Sequence, residues 1–360
     1  MSDKTFELLH LLSIDKLTPK NLHLLLDKFG TPQNIISAPR SALTRLVSHQ
    51  TADEITSYSL TDGLRYKERS IRSMDIRVSP YYSSAYPQWL RRIDGFPPVL
   101  FVRGSVLPDD ELSVAVIGTR GATVYGKEIA RNFATEFAGA GVTVISGMAR
   151  GVDTAAHQGA LQNKGRTIAV LGSGIDVCYP PENRQLMEDI SRSGAVISEF
   201  NVGTPPFAHN FPRRNRVVSG LAKAVVAIEA KEKSGVMNTV KWALDQNKEV
   251  FAVPGNIYAK TSHGTNRLIK EGAIPVTSAH EVMDYLGLTH VRDEKATREI
   301  LLDEVERNVW EALSSEPIYL DSLAERVNEP TSTLLSILLN LEMKGYVKQL
   351  PGMSFVKNLE

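Results

Sequence analysis

Val114-Ala115-Val116-Ile117 is an unbroken apolar run, and Gly118-Thr119-Arg120-Gly121-Ala122 follows it directly. A strand with one wet face alternates apolar and polar residues, so a run without alternation predicts a strand covered on both faces. Short strands of this kind recur at Val142–Ile145, Thr167–Leu171, Ala195–Ile197, Ala224–Ile228 and Val250–Val253. Between them, Tyr125–Ala138, Asp153–Gln162, Glu182–Ser191 and Met237–Gln246 have helical spacing. Buried strands alternating with helices predict a parallel sheet with helices on both sides. Right-handed crossovers make it a doubly wound, extended Rossmann-like domain. We assign it residues 79–288: Ser79–Phe96 is an irregular lead-in rich in Tyr, Pro and Trp, and Val99–Val102 adds a strand.

The flanks read differently, which makes the chain a multidomain α/β protein. From Lys4 to Arg72 leucines recur at helical spacing; Thr18-Pro19 reads as a helix start and Gly30 with Thr31-Pro32 as a stop and restart. Residues 1–72 are therefore expected to form a small all-α domain. Val291–Thr297 is charged and reads as a linker. Beyond it, helices at Leu301–Leu313, Leu320–Val327 and Thr331–Lys344 precede a ribbon, Tyr346–Val347 with Phe355–Val356, around Pro351-Gly352. Three helices and a hairpin over residues 298–360 predict a winged helix.

Composition narrows the function classes. The 360 residues carry no net charge, so an anion site must come from local clustering of cations. Cys178 is the sole cysteine, which excludes an intramolecular disulfide and a cysteine metal cluster and points to a reducing cytoplasm. The start of the chain lacks the pattern of a signal peptide, and no apolar run has the length of a membrane span. No cofactor or metal is expected.

In a doubly wound sheet, ligands bind outside the carboxyl ends of the strands. The loops there are Gly118–Ala122, Ser146–Asp153, Gly172-Ser173-Gly174, the stretch ending in Phe211-Pro212-Arg213-Arg214-Asn215-Arg216, Lys231–Gly235 and Pro254-Gly255-Asn256. Glycines let backbone amides approach a phosphate, and Arg120 and Arg150 add fixed charge beside them. Pro212 suits the first position of a helix, and three arginines at that positive end call for an anion among them. Phe211 offers a face for a base. By itself the segment also fits a solvated basic turn with Phe211 in the core.

The loops do not spell a known nucleotide site. Gly118 and Gly121 miss the spacing of the dinucleotide fingerprint, and no phosphate-loop motif is present. No nucleophile with a paired base is evident. Asp153 reads as a helix N-cap, His157 as a satisfied packing histidine, Glu199 as a structural acceptor and Cys178 as buried filler.

Taken together, Gly118-Thr119-Arg120, Ser146-Gly147 with Gly151-Val152-Asp153, Gly172-Ser173-Gly174 with Tyr179-Pro180, Phe211-Pro212 with Arg214-Asn215-Arg216, Glu229-Ala230 with Ser234-Gly235, and Val253-Pro254-Gly255 resemble the DprA (Smf) family of bacterial DNA-processing proteins. The resemblance covers about Tyr81 to Leu286. It implies a non-enzymatic protein that binds single-stranded DNA, protects incoming DNA during natural transformation, loads the RecA recombinase onto it and acts as a homodimer. It further implies that Gly118, Thr119 and Arg120 hold a phosphate, that Ser173 and Gly174 support the same strand, and that Phe211 stacks on a base beside Arg214, Asn215 and Arg216. Arg184 is a further candidate contact, and Arg213 stands at the variable place of its motif. The N-terminal helices resemble the SAM-like or helix-hairpin-helix domain of many members. Their hairpin, Asp15–Lys20, lacks the G-x-G that presents amides to DNA, and Lys344 is the only base in the winged helix's third helix, so both ends read as protein-contact modules. The region is also similar to phosphoribohydrolases of the lysine-decarboxylase-like group. Lys241 stands where their catalytic glutamate belongs, which disfavours that nucleotide-processing chemistry. A transcription regulator, the other reading of a winged helix, is disfavoured by the same weakly basic helix.

Overall fold

The computed structural model describes residues 3–14, 16–57, 71, 74–288, 304–314, 317–344, 346–350 and 352–357. Asp15, residues 58–70, Arg72, the expected linker 291–297, residues 301–303 of the first winged-helix segment and Pro351 of its turn lie outside these. The chain divides into two compact units, Met1–Arg292 and Asp293–Glu360.

The first unit opens with helices α1 (Asp3–Leu12), α2 (Pro19–Phe29), α3 (Pro32–Ile36), α4 (Arg40–Leu43) and α5 (His49–Thr56). Their ends follow local chemistry. Thr18, Thr31 and Ser48 are extended, and each hydroxyl accepts the N–H three residues ahead; proline fills the first position of α2 and α3. Gly30, at φ 81°, stops α2.

The sheet follows: β1 (Arg77–Pro80), β2 (Val99–Gly104), β3 (Ser113–Ile117), α6 (Val124–Gly139), β4 (Thr143–Ser146), α7 (Val152–Gln162), β5 (Thr167–Leu171), α8 (Arg184–Ser193), β6 (Ala195–Ser198), α9 (Asn210–Leu221), β7 (Ala224–Ala227), α10 (Gly235–Asp245), β8 (Glu249–Ala252), α11 (His263–Lys270), β9 (Ile274–Pro275) and α12 (Ala279–Tyr285). Strand order is β1-β2-β6-β5-β4-β3-β7-β8-β9. β3 to β9 pair in parallel, whereas β1 and β2 extend the β6 edge antiparallel. The chain winds outward from β3 to β6, then returns to β7 on the other side of β3. That reversal is the switch point of a Rossmann-like sheet.

Alternate residues of each strand feed opposite layers. Ala115, Ile117, Ile145, Ile168 and Val225 meet α9, α10 and α11 on one face. Val114, Val116, Val144 and Val226 meet α6, α7 and α12 on the other. The same second face continues through Ala169, Leu171 and Val196, which share a cluster with α8 and with Leu8, Leu22, Leu25 and Ile55 of the N-terminal helices. The helices expected as a domain of their own thus share a core with the sheet, a partnership that local periodicity does not reveal.

The second unit holds α13 (Glu304–Ala312), β10 (Ile318–Tyr319), α14 (Leu320–Val327), α15 (Thr331–Met343), β11 (Val347–Leu350) and β12 (Ser354–Lys357), with sheet order β10-β12-β11. Val309, Leu323, Leu334, Leu338 and Phe355 form its core. This is the expected winged helix with one further strand, β10, that is too short to leave a periodic signal.

Candidate nucleic-acid interface

A cavity of about 560 Å³ opens at the switch point, beyond the carboxyl ends of β3, β4 and β7. Gly118, Thr119 and Arg120 line it from the first loop, Gly147 from the second, Phe211, Arg214 and Asn215 from α9, and Ser234 and Gly235 from the start of α10.

Packing, not a ligand, dictates three glycines of the loops around it. A Cβ on Gly118 would overlap Val152, one on Gly147 would stand 2.6 Å from Nη2 of Arg214, and one on Gly172 would stand 2.8 Å from Cδ1 of Phe211. Phe211 therefore lies directly on the third loop. The Arg120 guanidinium sits above its ring, 4.8 Å from the centroid, and the Tyr179 ring is tilted against it at 5.7 Å. Arg120 is exposed and makes no ion pair or side-chain hydrogen bond among the described residues. Arg214 lies deeper, 4% exposed. Its Nη1 donates to the carbonyls of Gly147 (2.7 Å) and Val170, and its Nε to Oδ1 of Asn215 (3.2 Å). Burial lowers its pKa to about 10, against the pull of Asp153, so it stays charged at neutral pH. The hydroxyl of Ser234 is buried with no hydrogen-bond partner among the described residues, and the first turn of α10 opens on the cavity without a side-chain cap.

Two helix starts differ from expectation. α9 begins at Asn210, so Pro212 is its third residue; it still lies in the first turn, where its missing N–H costs nothing. α7 is capped by Gly151 at φ 80°, and Asp153, instead of capping, accepts from the Ala149 N–H at 3.3 Å. Burial raises the Asp153 pKa, opposed by Arg214. His157 is fully buried. Thr167 gives its proton to the Val144 carbonyl, so Nδ1 of His157 donates to the Thr167 oxygen at 2.7 Å. Its Nε2 is then an acceptor, and it has no partner among the described residues, so the histidine is only half satisfied. Burial, aided by Arg214, lowers its pKa to about 3.

Other candidates stand apart from the cavity. Glu199 accepts two bonds from Arg216 (2.7 and 2.8 Å) and two from Arg213 (Nε at 3.2 Å and Nη2 at 3.1 Å), and Arg216 also reaches the Gly95 carbonyl. Both arginines thus share one buried carboxylate within the fold. The Ser173 hydroxyl donates to Val177 O, and the Gly174 amide donates to Thr204 O; neither lines the cavity. Arg184 is exposed at the start of α8, also outside the lining. Arg150, expected to add charge beside the loops, is paired with Glu182. Burial raises the Cys178 thiol pKa, which keeps it protonated.

Glu229 belongs to a sequence motif to which the sequence assigns no role. Its carboxylate accepts from the Thr123 amide (2.9 Å), the Thr123 hydroxyl (2.7 Å) and the Thr261 hydroxyl (3.3 Å). It thereby occupies the N-terminus of α6, where a Rossmann domain holds a dinucleotide pyrophosphate. The chain's own anion closes that position.

The family profile of DNA recombination-mediator protein A matches residues 77–287, starting at β1, and that of the DprA winged helix domain matches residues 293–353. The chain belongs to this family. It is 38% identical over 285 residues to protein Smf of Escherichia coli, spanning 76% of this chain and 75% of that one. It is similar to the DprA of Streptococcus pneumoniae, whose X-ray structure superposes with a TM-score of 0.69 at 30% identity, covering 79% of this chain and 98% of that chain. A structure of DNA processing protein A from Helicobacter pylori, concerned with that protein's single-stranded DNA binding mode, superposes with a TM-score of 0.53 at 30% identity and covers 58% and 95%. Among the described residues no helix is long and apolar enough to cross a membrane, and no cluster of three or more His, Cys, Asp or Glu side chains could hold a metal.

Proposed function

We propose that this chain binds single-stranded DNA in the switch-point cavity and holds it for a RecA-type recombinase, as a cytoplasmic homodimer without catalytic activity, in the processing of incoming DNA. The observation that carries the reading is the layer Phe211–Arg120: an exposed, unpaired cation over an aromatic ring that lines the cavity. A guanidinium in that position meets a phosphate, and the layer beneath it offers a π-surface to an unpaired base. Gly118, Thr119 and Asn215 complete the wall, and Arg214 adds buried positive charge from below. The relatives named for DNA processing, and the H. pylori protein's single-stranded DNA binding, support the same ligand.

An acid–base enzyme finds no support in the side chains here. The carboxylate that lines the cavity, Asp153, is buried near Arg214, and Lys241 borders a separate groove beside Leu244 and Glu271. Fluorescence anisotropy with labelled oligo-dT tests the proposal. Arg120→Ala and Phe211→Ala are each expected to weaken binding, Phe211→Ala by roughly 1–3 kcal/mol if it supports one stacked base. Unchanged affinity in both folded variants overturns the assignment, and hydrolysis of nucleoside monophosphates abolished by these changes would establish the enzyme instead.

A further inference from the structure

Beside the cavity lies a second group of side chains that its lining leaves unused. Tyr258, Val124 and Ile257 are the three most exposed large apolar side chains among the described residues, at 87%, 83% and 71%, and Tyr125 is 55% exposed. Single apolar side chains on a surface are ordinary, but a group of them marks a contact surface. These four belong to two segments, the start of α6 and the loop after β8, both at the carboxyl edge of the sheet. The two segments meet at Glu229, whose Oε1 accepts from the Thr123 and Thr261 hydroxyls. The first of them is continuous with the Gly118–Arg120 wall of the cavity.

Charge identifies the occupant. Lys127 and Lys260 flank the tyrosines, and both are exposed. Like Arg120, neither makes an ion pair or a side-chain hydrogen bond among the described residues. Glu229, the carboxylate that bonds both segments, is buried and engaged by Thr123 and Thr261, and Glu128, next to Lys127, is exposed. Exposed rings set among free cations suit a polyanion with unpaired bases: the rings take the base faces and the cations follow the backbone.

We propose that the cavity is the first part of a longer track, and that a strand leaving Arg120 continues over Tyr125 and Tyr258, stacking bases on these rings while Lys127 and Lys260 hold its phosphates. This rests on the reading of the cavity as a single-stranded DNA site. Any single strand longer than the cavity would bind the track, because stacking does not discriminate among bases.

Length dependence separates the two assignments. Affinities would be measured by anisotropy for oligo-dT of about 6 and about 20 nucleotides, bracketing the strand lengths such surfaces cover. Tyr125→Ala and Tyr258→Ala should leave the short oligonucleotide unaffected and weaken the long one about fivefold or more each, and the Phe variants should retain wild-type affinity for both. Circular dichroism checks folding, which substitution of such exposed side chains should leave intact. Equal long-oligonucleotide affinity in the Tyr125→Ala/Tyr258→Ala double variant and wild type, with Arg120→Ala weakening both lengths, overturns the track and leaves the cavity standing. Arg120→Ala without effect on either length removes the cavity reading and the track with it. Phe variants as weak as the Ala variants overturn stacking on these rings.

Discussion

His157 makes stability depend on pH in a way that can be separated from everything else in the chain. Its pKa falls from 6.5 in the unfolded chain to about 3 in the folded one, because the ring is buried and Arg214 is near. The unfolded chain therefore binds the proton more readily, and acidification favours unfolding. The stability that neutral His157 provides is complete above about pH 6.5 and is lost as pH falls toward about 3. At about pH 4.5 the unfolded imidazole is 6.5 − 4.5 = 2 units below its own pKa while the folded ring is still neutral. At about 1.4 kcal/mol per unit, wild type loses roughly 3 kcal/mol relative to neutral pH through this residue. His157→Leu removes the titration. It also removes the bond to Thr167, a cost of about 1 kcal/mol at neutral pH, and the unpartnered Nε2, a gain of similar size. Asp153, on the same helix, has a raised pKa and the opposite dependence, gaining stability as pH falls through its folded value, but it is present in both proteins and cancels. Urea unfolding followed by tryptophan fluorescence would measure this. A Trp310→Phe background restricts the signal to Trp89 and Trp242 of the first unit. The variant should be close to wild type near pH 7 and more stable than it near pH 4.5. Parallel loss of stability in both proteins over this range would refute the burial argument.

Three further outcomes follow from the same geometry. Glu199→Gln leaves Arg216 buried without its carboxylate and should cost about 3–5 kcal/mol in urea unfolding, most of it from that pair and little from the half-exposed Arg213. Gly172→Ala pushes a methyl toward Phe211 and should weaken oligo-dT binding in anisotropy. Arg120→Ala should reduce the slope of log affinity against log salt by about 0.7, the single-strand value for one phosphate contact, while Arg213→Ala leaves the slope unchanged.

Much of the fold was legible because it rests on strands apolar on both faces, and such strands announce themselves. Val114–Ile117 and its successors needed no tertiary information. The antiparallel edge strand β1, Arg77–Pro80, is too short and polar to stand out, and β2 gave no sign of its direction. The loops were legible as a site, but not the reason for their glycines. A glycine that admits a phosphate and one that admits Val152 or Arg214 look alike in a sequence, because both are demands for space made by atoms far along the chain. Glu229 shows the converse. A carboxylate at the end of a strand reads as unremarkable until Thr123 and Thr261 are seen to converge on it.

The arginine segment was resolvable in principle from its own period. Read as a string, Phe211 to Arg216 is one basic wall. Read at 3.6 residues per turn, it splits. Phe211, Arg214, Asn215 and Val218 stand at i, i+3, i+4 and i+7, and all four line the cavity. Arg213 and Arg216, three apart on another face, meet Glu199. The cluster of cations is therefore two systems with different tasks. One, Arg213 and Arg216, fixes α9 to the end of β6 through their shared carboxylate, Glu199. The other presents a single ring and a single buried guanidinium to the cavity. What makes the pocket receptive to a polyanion is then not the number of arginines in the motif but Arg120, which comes from another loop, is exposed, and is held over Phe211 without a counter-charge.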